Sequence, residues 1–420
     1  MQPLPHRRQP IHTVYGGAHL FRADTAARLG ATALRVLQEY GGDSDALGAA
    51  VGIGRASSAM IYPRIVEKLQ REAVEDLRLD FEDGYGNRPD AEEDGHAASA
   101  AREVAAGLRG NTLPPFIGIR IKSLSEELRE RALRTAQLFV ETLLDETGGR
   151  LPANFVVTLP KITSQAQVTS LVRLFATIES ERRLQAGSLR MELMVETPQS
   201  ILDEHGAAAL PAFVRAGDGR IVAAHFGTYD YTAALGITAA HQHMRHPVCD
   251  FARHVMQVSL SGTGVWLSDG ATNVLPVPVH RAEAGATLSS AQQAENRAAV
   301  HRAWKHHYDD IRHSLMNGYY QGWDLHPAQL VTRYAAVYGF FLESLEAASE
   351  RLRNFIAKAA QATLVGEVFD DAATGQGLLT FFLKALNCGA VREPDIEALT
   401  GLTVEELGSG SFVTILKGRT

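Results

Sequence analysis

The chain has 420 residues, of which 45% are hydrophobic and 21% charged, and this composition is typical of a folded protein with a large apolar core rather than of a disordered chain. Its formal net charge of -7 lacks the basic excess that binding to a nucleic-acid backbone requires, so we expect no nucleic-acid partner. The only two cysteines, Cys249 and Cys388, exclude a disulfide framework and a structural zinc site of the C-x-x-C kind.

The sequence contains no recognisable targeting or membrane segment. The stretch MQPLPHRRQPIHTVYGG at the start lacks the apolar run of a signal peptide. No stretch approaches the roughly 18 uncharged apolar residues that mark a membrane-spanning helix. We therefore expect a cytoplasmic protein with no membrane partner.

Short apolar runs alternate along the chain with longer segments of helical periodicity, which is the pattern of βα units and a parallel sheet. An early strand is expected near GGAHLF (16–21) or, alternatively, in SAMIYP (58–63). Seven further strands are predicted in DLRLDFED (76–83), PFIGIRIKS (115–123), NFVVTLPKI (154–162), RMELMVETP (190–198), RIVAAHFGTYD (220–230), GVWLSDGATN (264–273) and GYYQGWDLHPAQ (318–329). Helical segments such as 125–144 and 164–185 lie between them. Eight such units predict a TIM (β/α)8 barrel.

The C-terminal part of the chain has a different sequence pattern. From about residue 331 the pattern becomes continuously helical, through VTRYAAVYGFFLESLEAASERLRNFIAKAAQ, and a tail follows that contains LVGEVFDDAATGQG (364–377). We predict a catalytic barrel over residues 1–330 and a C-terminal helical extension over residues 331–420. The extension is expected to pack on the barrel or on a neighbouring subunit. A separate run, WKHHYDD (304–310), is expected to form an exposed helix face.

Polar residues follow each predicted strand, and the active site of a βα barrel is built at these carboxyl ends. Strand alternation turns Arg120 inward from FIGIRI and Glu196 inward from MELMVE. It also turns Asp80 and Glu82 inward from DLRLDFED, with Asp83 following at the turn. A guanidinium in the position of Arg120 is suited to bidentate capture of a carboxylate.

A second carboxylate is expected near Glu196. Asp230 lies just beyond Gly227 and Thr228, where the strand in HFGTYD ends. If the strands that carry Glu196 and Asp230 are neighbours, their tips lie about 5 Å apart. Two carboxylates so close repel each other unless they share a cation or a proton. Ligation by oxygen atoms alone favours Mg²⁺ over zinc, which prefers histidine or cysteine.

Each of these carboxylates also has an ordinary structural interpretation. Glu196 could form a salt bridge with Arg120. Asp230 could cap the helix that follows it. Glu82 and Asp83 could belong to a turn. The set is more informative than any member, because polar tips on several units of one barrel are difficult to explain independently.

Six motifs along the chain carry a resemblance to a known family. They are LDFEDGYG, IRIKS, LPKI, MVETP, HFGTYDYTAALG and GWDLHPAQ. In content and order they resemble the barrel signatures of the HpcH/HpaI aldolase and citrate lyase β-subunit superfamily, over roughly residues 16–345. The longer chain and its departures from the motifs indicate a divergent branch with a C-terminal extension.

The resemblance implies a TIM barrel that holds Mg²⁺, or Mn²⁺, through Glu196 and Asp230. It implies that Arg120 binds the carboxylate or enolate oxygen of a 2-oxo acid or acyl substrate. It also implies that Glu82 and Asp83 support a metal-bound water and the arginine, so these two residues and Arg120 are assigned to catalysis.

The resemblance extends to substrate contacts and assembly. His326 matches the histidine-proline element at the last strand and, with Gly227, Thr228 and Arg120, is assigned to substrate binding. The first strand lacks the opening associated with CoA-using members, so the use of a CoA thioester stays open. Members with helical extensions suggest a homo-oligomer.

The expected function is that of a metal-dependent carbon-carbon lyase or aldolase, or a Claisen-type synthase, acting on a small-molecule carboxylate through a metal-stabilised enolate. Two alternatives remain. The first is a Schiff-base aldolase that uses Lys161 of LPKI. The second is a non-catalytic ligand-binding protein that kept the barrel.

Overall fold

The computed structural model describes residues 8–283, 285–358, 363–365, 368–370 and 372–419. Eight parallel strands pair in chain order and close into a barrel, because the first strand pairs with both the second and the eighth. The strands are β1 (His12–Gly17), β2 (Asp76–Asp80), β3 (Phe116–Arg120), β4 (Phe155–Leu159), β5 (Arg190–Val195), β6 (Ile221–Phe226), β7 (Trp266–Ala271) and β8 (Gln321–Asp324). The predicted TIM barrel is confirmed.

Helices surround the barrel and continue beyond it. They are α1 (Thr25–Val36), α2 (Ser44–Val51), α3 (Arg55–Arg71), α4 (Asp90–Gly110), α5 (Arg129–Thr147), α6 (Gln165–Glu181), α7 (Pro198–Ile201), α8 (Leu210–Ala216), α9 (Thr228–Ala234), α10 (Pro247–Leu260), α11 (Ser290–Met316), α12 (Leu330–Glu343), α13 (Leu345–Ala357), α14 (Ala372–Asn387), α15 (Glu393–Thr400), α16 (Val404–Gly408) and α17 (Phe412–Arg419). Among the described helices, none is both long and apolar enough to cross a bilayer.

Each of the seven later strand predictions contains an observed strand, but the early one is only partly correct. β1 overlaps GGAHLF at Gly16 and Gly17 alone, and the next residues form a 3-10 turn at Ala18–Leu20. The alternative strand in SAMIYP is wrong, since these residues lie within α3. Ile61 and Ile65 of that helix are fully buried one turn apart, so the apolar spacing there is helical.

The C-terminal part begins against the barrel wall. α12 follows β8 after a single 3-10 turn and packs against α3 and α11. A short antiparallel pair, β9 (Thr363–Val365) and β10 (Val368–Asp370), lies between α13 and α14. Residues 366, 367 and 371 of LVGEVFDDAATGQG lie outside the described residues. The division of the chain at residue 330 stays a prediction.

Paired charges fill the middle of the barrel interior. Arg78 donates from Nε and Nη2 to the two oxygens of Glu192, at 2.6 and 2.7 Å. The Thr158 hydroxyl and His225 Nε2 contact the same carboxylate at 2.5 and 3.0 Å. These side chains are almost completely buried. A buried ion pair is stable only when its remaining hydrogen-bonding atoms are satisfied, so this network fixes the inward face of four strands.

A second buried cluster joins β1 and β8 to the outer helices. Asp324 accepts hydrogen bonds from Arg333 Nη2 at 2.8 Å and contacts His307 Nε2 at 3.1 Å. His307 belongs to WKHHYDD, for which an exposed face was expected, and this expectation is wrong for the four buried residues of the seven. Trp304 and His307 lie three residues apart on the buried face of α11, and both are at most 1% exposed.

This cluster makes stability depend on pH through His12. Burial lowers the pKa of His12 from 6.5 to about 4, and its Nδ1 lies 3.6 Å from Asp324 Oδ2. The unfolded chain therefore binds a proton between pH 6.5 and 4 that the folded chain does not. Acidification across this window should lower the free energy of unfolding by up to about 3 kcal/mol, and the loss should stop below the folded pKa.

Urea unfolding at a series of pH values measures this dependence. The variant His12→Gln should show a smaller slope of unfolding free energy against pH between 6.5 and 4. The control variant His254→Gln changes an exposed histidine of α10 and should keep the wild-type slope. Equal slopes in wild type and His12→Gln would contradict the assignment.

Candidate active site

The carboxyl ends of β5 and β6 bring two carboxylates to the mouth of the barrel. β5 pairs with β6 through Val195 and Phe226, so the expectation that the two strands are neighbours is confirmed. Glu196 follows β5 directly and is 2% exposed. Asp230 lies in the first turn of α9, whose N-cap is Gly227, so the alternative that Asp230 caps this helix is wrong.

Glu196 is buried without a full counter-charge. Its Oε1 accepts a hydrogen bond from the backbone N–H of Lys161 at 2.8 Å. Burial, together with the nearby charges of Glu82 and Asp230, raises its pKa to about 8 against the opposing effect of Lys161. The alternative that Glu196 forms a salt bridge with Arg120 is not observed, since Arg120 forms its ion pairs with other carboxylates. Glu196 therefore retains a demand for positive charge.

Lys161 supplies part of that charge from the end of β4. Its Nζ donates to Glu82 Oε1 and lies 3.3 Å from Asp83 Oδ1 and 3.6 Å from Asp230 Oδ2. Its backbone is in the left-handed region at φ 50°, which is unfavourable for a side chain with a Cβ. Burial would lower the pKa of the ammonium, but Glu196 and Glu82 outweigh it and raise the pKa well above its usual 10.5.

Arg120 lies beside this cluster and is held by Asp80. Its Nε and Nη2 donate to the two oxygens of Asp80 at 2.7 and 2.6 Å, so the bidentate geometry expected for a substrate carboxylate is used by the protein itself. Its Nη1 lies 3.0 Å from Glu82 Oε2 and 3.4 Å from Asp83 Oδ2. Asp80 also accepts the backbone N–H of Gly84 at 2.7 Å.

Two aromatic rings that the sequence analysis did not identify flank this guanidinium. The Arg120 guanidinium lies 4.9 Å from the ring centre of Tyr15 and 5.4 Å from that of Trp323. The two rings are 4.2 Å apart. Both residues occupy inward positions on β1 and β8, so a correct register for the first strand would have indicated Tyr15. Together they fix the orientation of Arg120.

The three other residues assigned to substrate binding have different surroundings. Gly227 adjoins Glu196, and a Cβ at this position would lie 2.5 Å from Glu196 Oε2. Thr228 is buried and its hydroxyl donates to Met244 Sδ at 3.0 Å. His326 caps the turn after β8, since its Nδ1 accepts the backbone N–H of Ala328 at 3.1 Å. Their contacts with a substrate stay predictions.

The charges at the mouth do not balance. Four carboxylates converge there, those of Glu82, Asp83, Glu196 and Asp230. One ammonium and one guanidinium oppose them, and the guanidinium also neutralises Asp80. The donors are all oxygens, so their chemistry fits a hard divalent cation such as Mg²⁺ or Mn²⁺. Among the described residues, no three acidic, histidine or cysteine side chains form a ready metal cage, and the Lys161 ammonium lies among the carboxylates instead.

Two sizeable cavities lie away from this mouth. One of about 430 Å³ opens at the amino ends of the strands and reaches Arg78 and Glu192 in the barrel interior. Another of about 780 Å³ lies between α3 and the C-terminal helices. The hydrogen-bonding atoms of Arg78 and Glu192 are already paired with each other and with neighbouring side chains. The concentration of charge, rather than cavity volume, therefore identifies the candidate site.

The close approach of Gly227 to Glu196 gives a test of the geometry. Gly227→Ala should displace the Glu196 side chain and lower the free energy of unfolding by about 1–3 kcal/mol, because a methyl group there overlaps a buried carboxylate. The control Gly95→Ala adds a methyl group in open space within α4 and should raise stability by about 0.5–1 kcal/mol. Urea unfolding measures both, and wild-type stability in Gly227→Ala would refute the contact.

Several solved structures resemble this chain over most of its length. A citrate lyase from Burkholderia xenovorans LB400 superimposes with a TM-score of 0.58 at 18% sequence identity, over 94% of this chain and 98% of that chain. A Haloferax volcanii malate synthase in a magnesium and glyoxylate complex gives a TM-score of 0.48 at 15% identity, over 98% and 97% of the two chains. The citrate lyase β subunit of Mycobacterium tuberculosis, complexed with oxaloacetate and magnesium, gives 0.41 at 17% identity, over 78% and 96%.

These likenesses are distant, and only the first is close enough to support the shared barrel fold. No curated protein matches the sequence. A family model does match almost the whole chain, over residues 4–415. The chain therefore belongs to the family described as a domain of unknown function, DUF6986.

Proposed function

We propose that this protein is a Mg²⁺-dependent carbon-carbon lyase or aldolase, or a Claisen-type synthase, that acts on a 2-oxo acid or acyl substrate through an enolate. The observation that carries the proposal is the convergence of Glu196, Asp230, Glu82 and Asp83 with two cations at the carboxyl ends of neighbouring barrel strands. The resemblance of the six motifs to the citrate lyase β-subunit superfamily supports the same chemistry.

Glu196 and Asp230 are the residues that would hold the ion. They lie at the ends of adjacent strands, one buried and one partly exposed, so that one faces the protein and the other the solvent. When bound, the metal supplies a Lewis acid that stabilises negative charge on the substrate oxygen. The Lys161 ammonium neutralises part of the same cluster and keeps the carboxylates close together.

Arg120 would stabilise the same developing negative charge. Asp80 fixes two of its nitrogens, and the two aromatic rings fix its plane, so the guanidinium needs no rearrangement during the reaction. Its Nη1 is directed toward Glu82 and Asp83 at the mouth. An anionic substrate oxygen would meet this nitrogen in the neighbourhood of the two carboxylates.

Glu82 is the better proton acceptor of the acidic pair. Burial and the charge of Asp83 raise its pKa, although Arg120 and Lys161 act in the opposite direction. Burial also acts to raise the pKa of Asp83, but there Arg120 and Lys161 prevail and lower it. A base with a raised pKa takes a proton more readily from a carbon next to a carbonyl. We therefore assign the general base to Glu82.

The environment of Lys161 does not favour the Schiff-base alternative. A nucleophilic amine must be neutral, which requires a lowered pKa. The carboxylates around Lys161 instead raise its pKa and hold its ammonium in ion pairs.

Turnover in the presence and absence of chelator tests the proposal. The purified protein should cleave a hydroxylated 2-oxo acid, or decarboxylate oxaloacetate, and this activity should disappear with EDTA and return with Mg²⁺ or Mn²⁺. Borohydride in the presence of pyruvate should trap no adduct on Lys161. Undiminished activity in EDTA would contradict the metal role. Binding of Mg²⁺ or of a 2-oxo acid without any turnover would favour the non-catalytic alternative.

Direct titration of Mg²⁺ by calorimetry tests the two ligands separately. Glu196→Gln and Asp230→Asn should each weaken Mg²⁺ binding by at least about 100-fold, since changes even to supporting residues of a metal site weaken binding by 10–100-fold. Glu204→Gln removes a carboxylate that is 88% exposed, and it should bind Mg²⁺ like the wild type. Binding that all three variants retain would remove Glu196 and Asp230 from the site.

A further inference from the structure

A polar cavity lies at the opposite end of the barrel from the candidate active site. It has a volume of about 780 Å³ and is lined by α3, by Tyr338 of α12 and by the segment that joins α14 to α15. Arg71 at the end of α3 and Arg8 before β1 both line it, and both shortly precede strands of the barrel. The cavity is therefore at the amino ends of the strands and has no part in the chemistry at the mouth.

Positive charge predominates in the lining of this cavity. Arg64, Lys68 and Arg71 are spaced by four and three residues, so they share one face of α3. Arg8 and Arg392 add two further cations, of which Arg392 is paired with Asp395 at 3.0 Å. Three carboxylates also line the cavity, and the ion pairs of the cations with these carboxylates and with the adjacent Glu75 decide which cations remain available.

Four charged side chains at and beside the cavity neutralise one another. Lys68 Nζ donates to Glu72 Oε1 at 2.6 Å and to Glu75 Oε1 at 2.7 Å. Arg8 pairs with the same two carboxylates, and its Nη2 lies 2.9 Å from Glu75 Oε1. Two cations thus balance two carboxylates, and neither is available to a ligand.

Arg64 and Arg71, in contrast, keep most of their charge. Arg64 donates from Nη1 to the backbone carbonyl of Ala390, and within the described part of the chain it has no carboxylate at ion-pair distance. Arg71 is 3.7 Å from Glu67, but these side chains are 71% and 68% exposed, and such an exposed pair contributes little. An anion in the cavity would meet both guanidinium groups.

The hydroxyl of Tyr338 points to the same conclusion independently. Tyr338 is 2% exposed and lines the cavity, yet its hydroxyl makes no hydrogen bond with any residue that the structure describes. The oxygen of this hydroxyl is open to the cavity, so the hydroxyl can donate to an acceptor bound there. Arg64, Arg71 and Tyr338 all line this one cavity.

We propose that this cavity binds a small molecule through a phosphate group, with charge supplied by Arg64 and Arg71 and a hydrogen bond donated by Tyr338. A phosphate dianion matches two guanidinium groups and accepts several hydrogen bonds at once. The volume is within the range of small-molecule sites and exceeds the needs of a phosphate ion alone, so it leaves room for the rest of the ligand. Because Arg64 also holds Ala390, the ligand would join the barrel to the C-terminal helices.

Calorimetric titration of the full chain with inorganic phosphate, at constant ionic strength, tests the site. The wild type should bind phosphate. Arg64→Gln should weaken this binding by about tenfold or more, as expected for the loss of a charge-assisted hydrogen bond. Tyr338→Phe keeps the buried ring and should weaken binding severalfold. Arg55→Gln changes an arginine of the same helix that pairs with Asp45 outside the cavity, and it should bind like the wild type.

Three results would overturn the proposal. The first is that the wild type does not bind phosphate. The second is that Arg64→Gln and Tyr338→Phe bind as the wild type does, or that Arg55→Gln loses as much affinity as they do. The third is that acetate binds as tightly as phosphate, which would show that the cavity recognises a carboxylate. Thermal unfolding of each variant confirms that it is folded before titration.

Discussion

Four carboxylates gather at the mouth of a closed barrel around a single ammonium, and this crowding of like charge is the constraint on which the site depends. Burial raises the pKa of Glu196, and the nearby charges of Glu82 and Asp230 raise it further. Lys161 adopts an unfavourable left-handed backbone conformation. Its backbone N–H donates to Glu196, and its Nζ forms an ion pair with Glu82. Such an arrangement is unfavourable for folding unless positive charge is supplied, and it is common where a protein must bind a cation. The same imbalance therefore links the local structure to the proposed chemistry.

The barrel interior shows how these charges are held in place. Below the mouth, Arg78 and Glu192 form a buried pair whose oxygens are fully used by neighbouring strands. Between that pair and the mouth, Asp80 and Arg120 form a second bidentate pair. Each pair has its polar atoms satisfied, so each can be buried without leaving an isolated charge. The two layers fix the inward side chains of β2, β3 and β5. Because both layers are neutralised internally, the charge that stays unbalanced at this end of the barrel lies at the mouth. The cavity between α3 and the C-terminal helices is separate from this arrangement, because it lies at the amino ends of the strands.

Strand alternation was sufficient to predict much of this from the sequence. The isoleucines of FIGIRI pack outward, which left Arg120 facing inward, and the same reasoning turned Glu196 inward. Asp230 was expected near Glu196 from its position just beyond the next strand, and β5 and β6 are neighbours. The partners of these residues were harder to predict. That Arg120 binds Asp80, and that Lys161 turns its ammonium into the acidic cluster, depends on a left-handed backbone and on contacts between distant strands. The helix face of Trp304 and His307 was misjudged because charged residues between them hid the apolar spacing. The first strand was predicted in GGAHLF, although the observed strand HTVYGG contains the β-branched and aromatic residues that favour a strand.

The most direct test is a crystal structure of the protein soaked with Mn²⁺, with the ion located by its anomalous scattering. The account predicts one strong peak at the mouth, about 2.2 Å from carboxylate oxygens of both Glu196 and Asp230, with the Lys161 ammonium moved away from Asp230. A map without a peak at this position, in which Lys161 still lies among the carboxylates, would show that the lysine alone satisfies the cluster. That result would contradict the central claim.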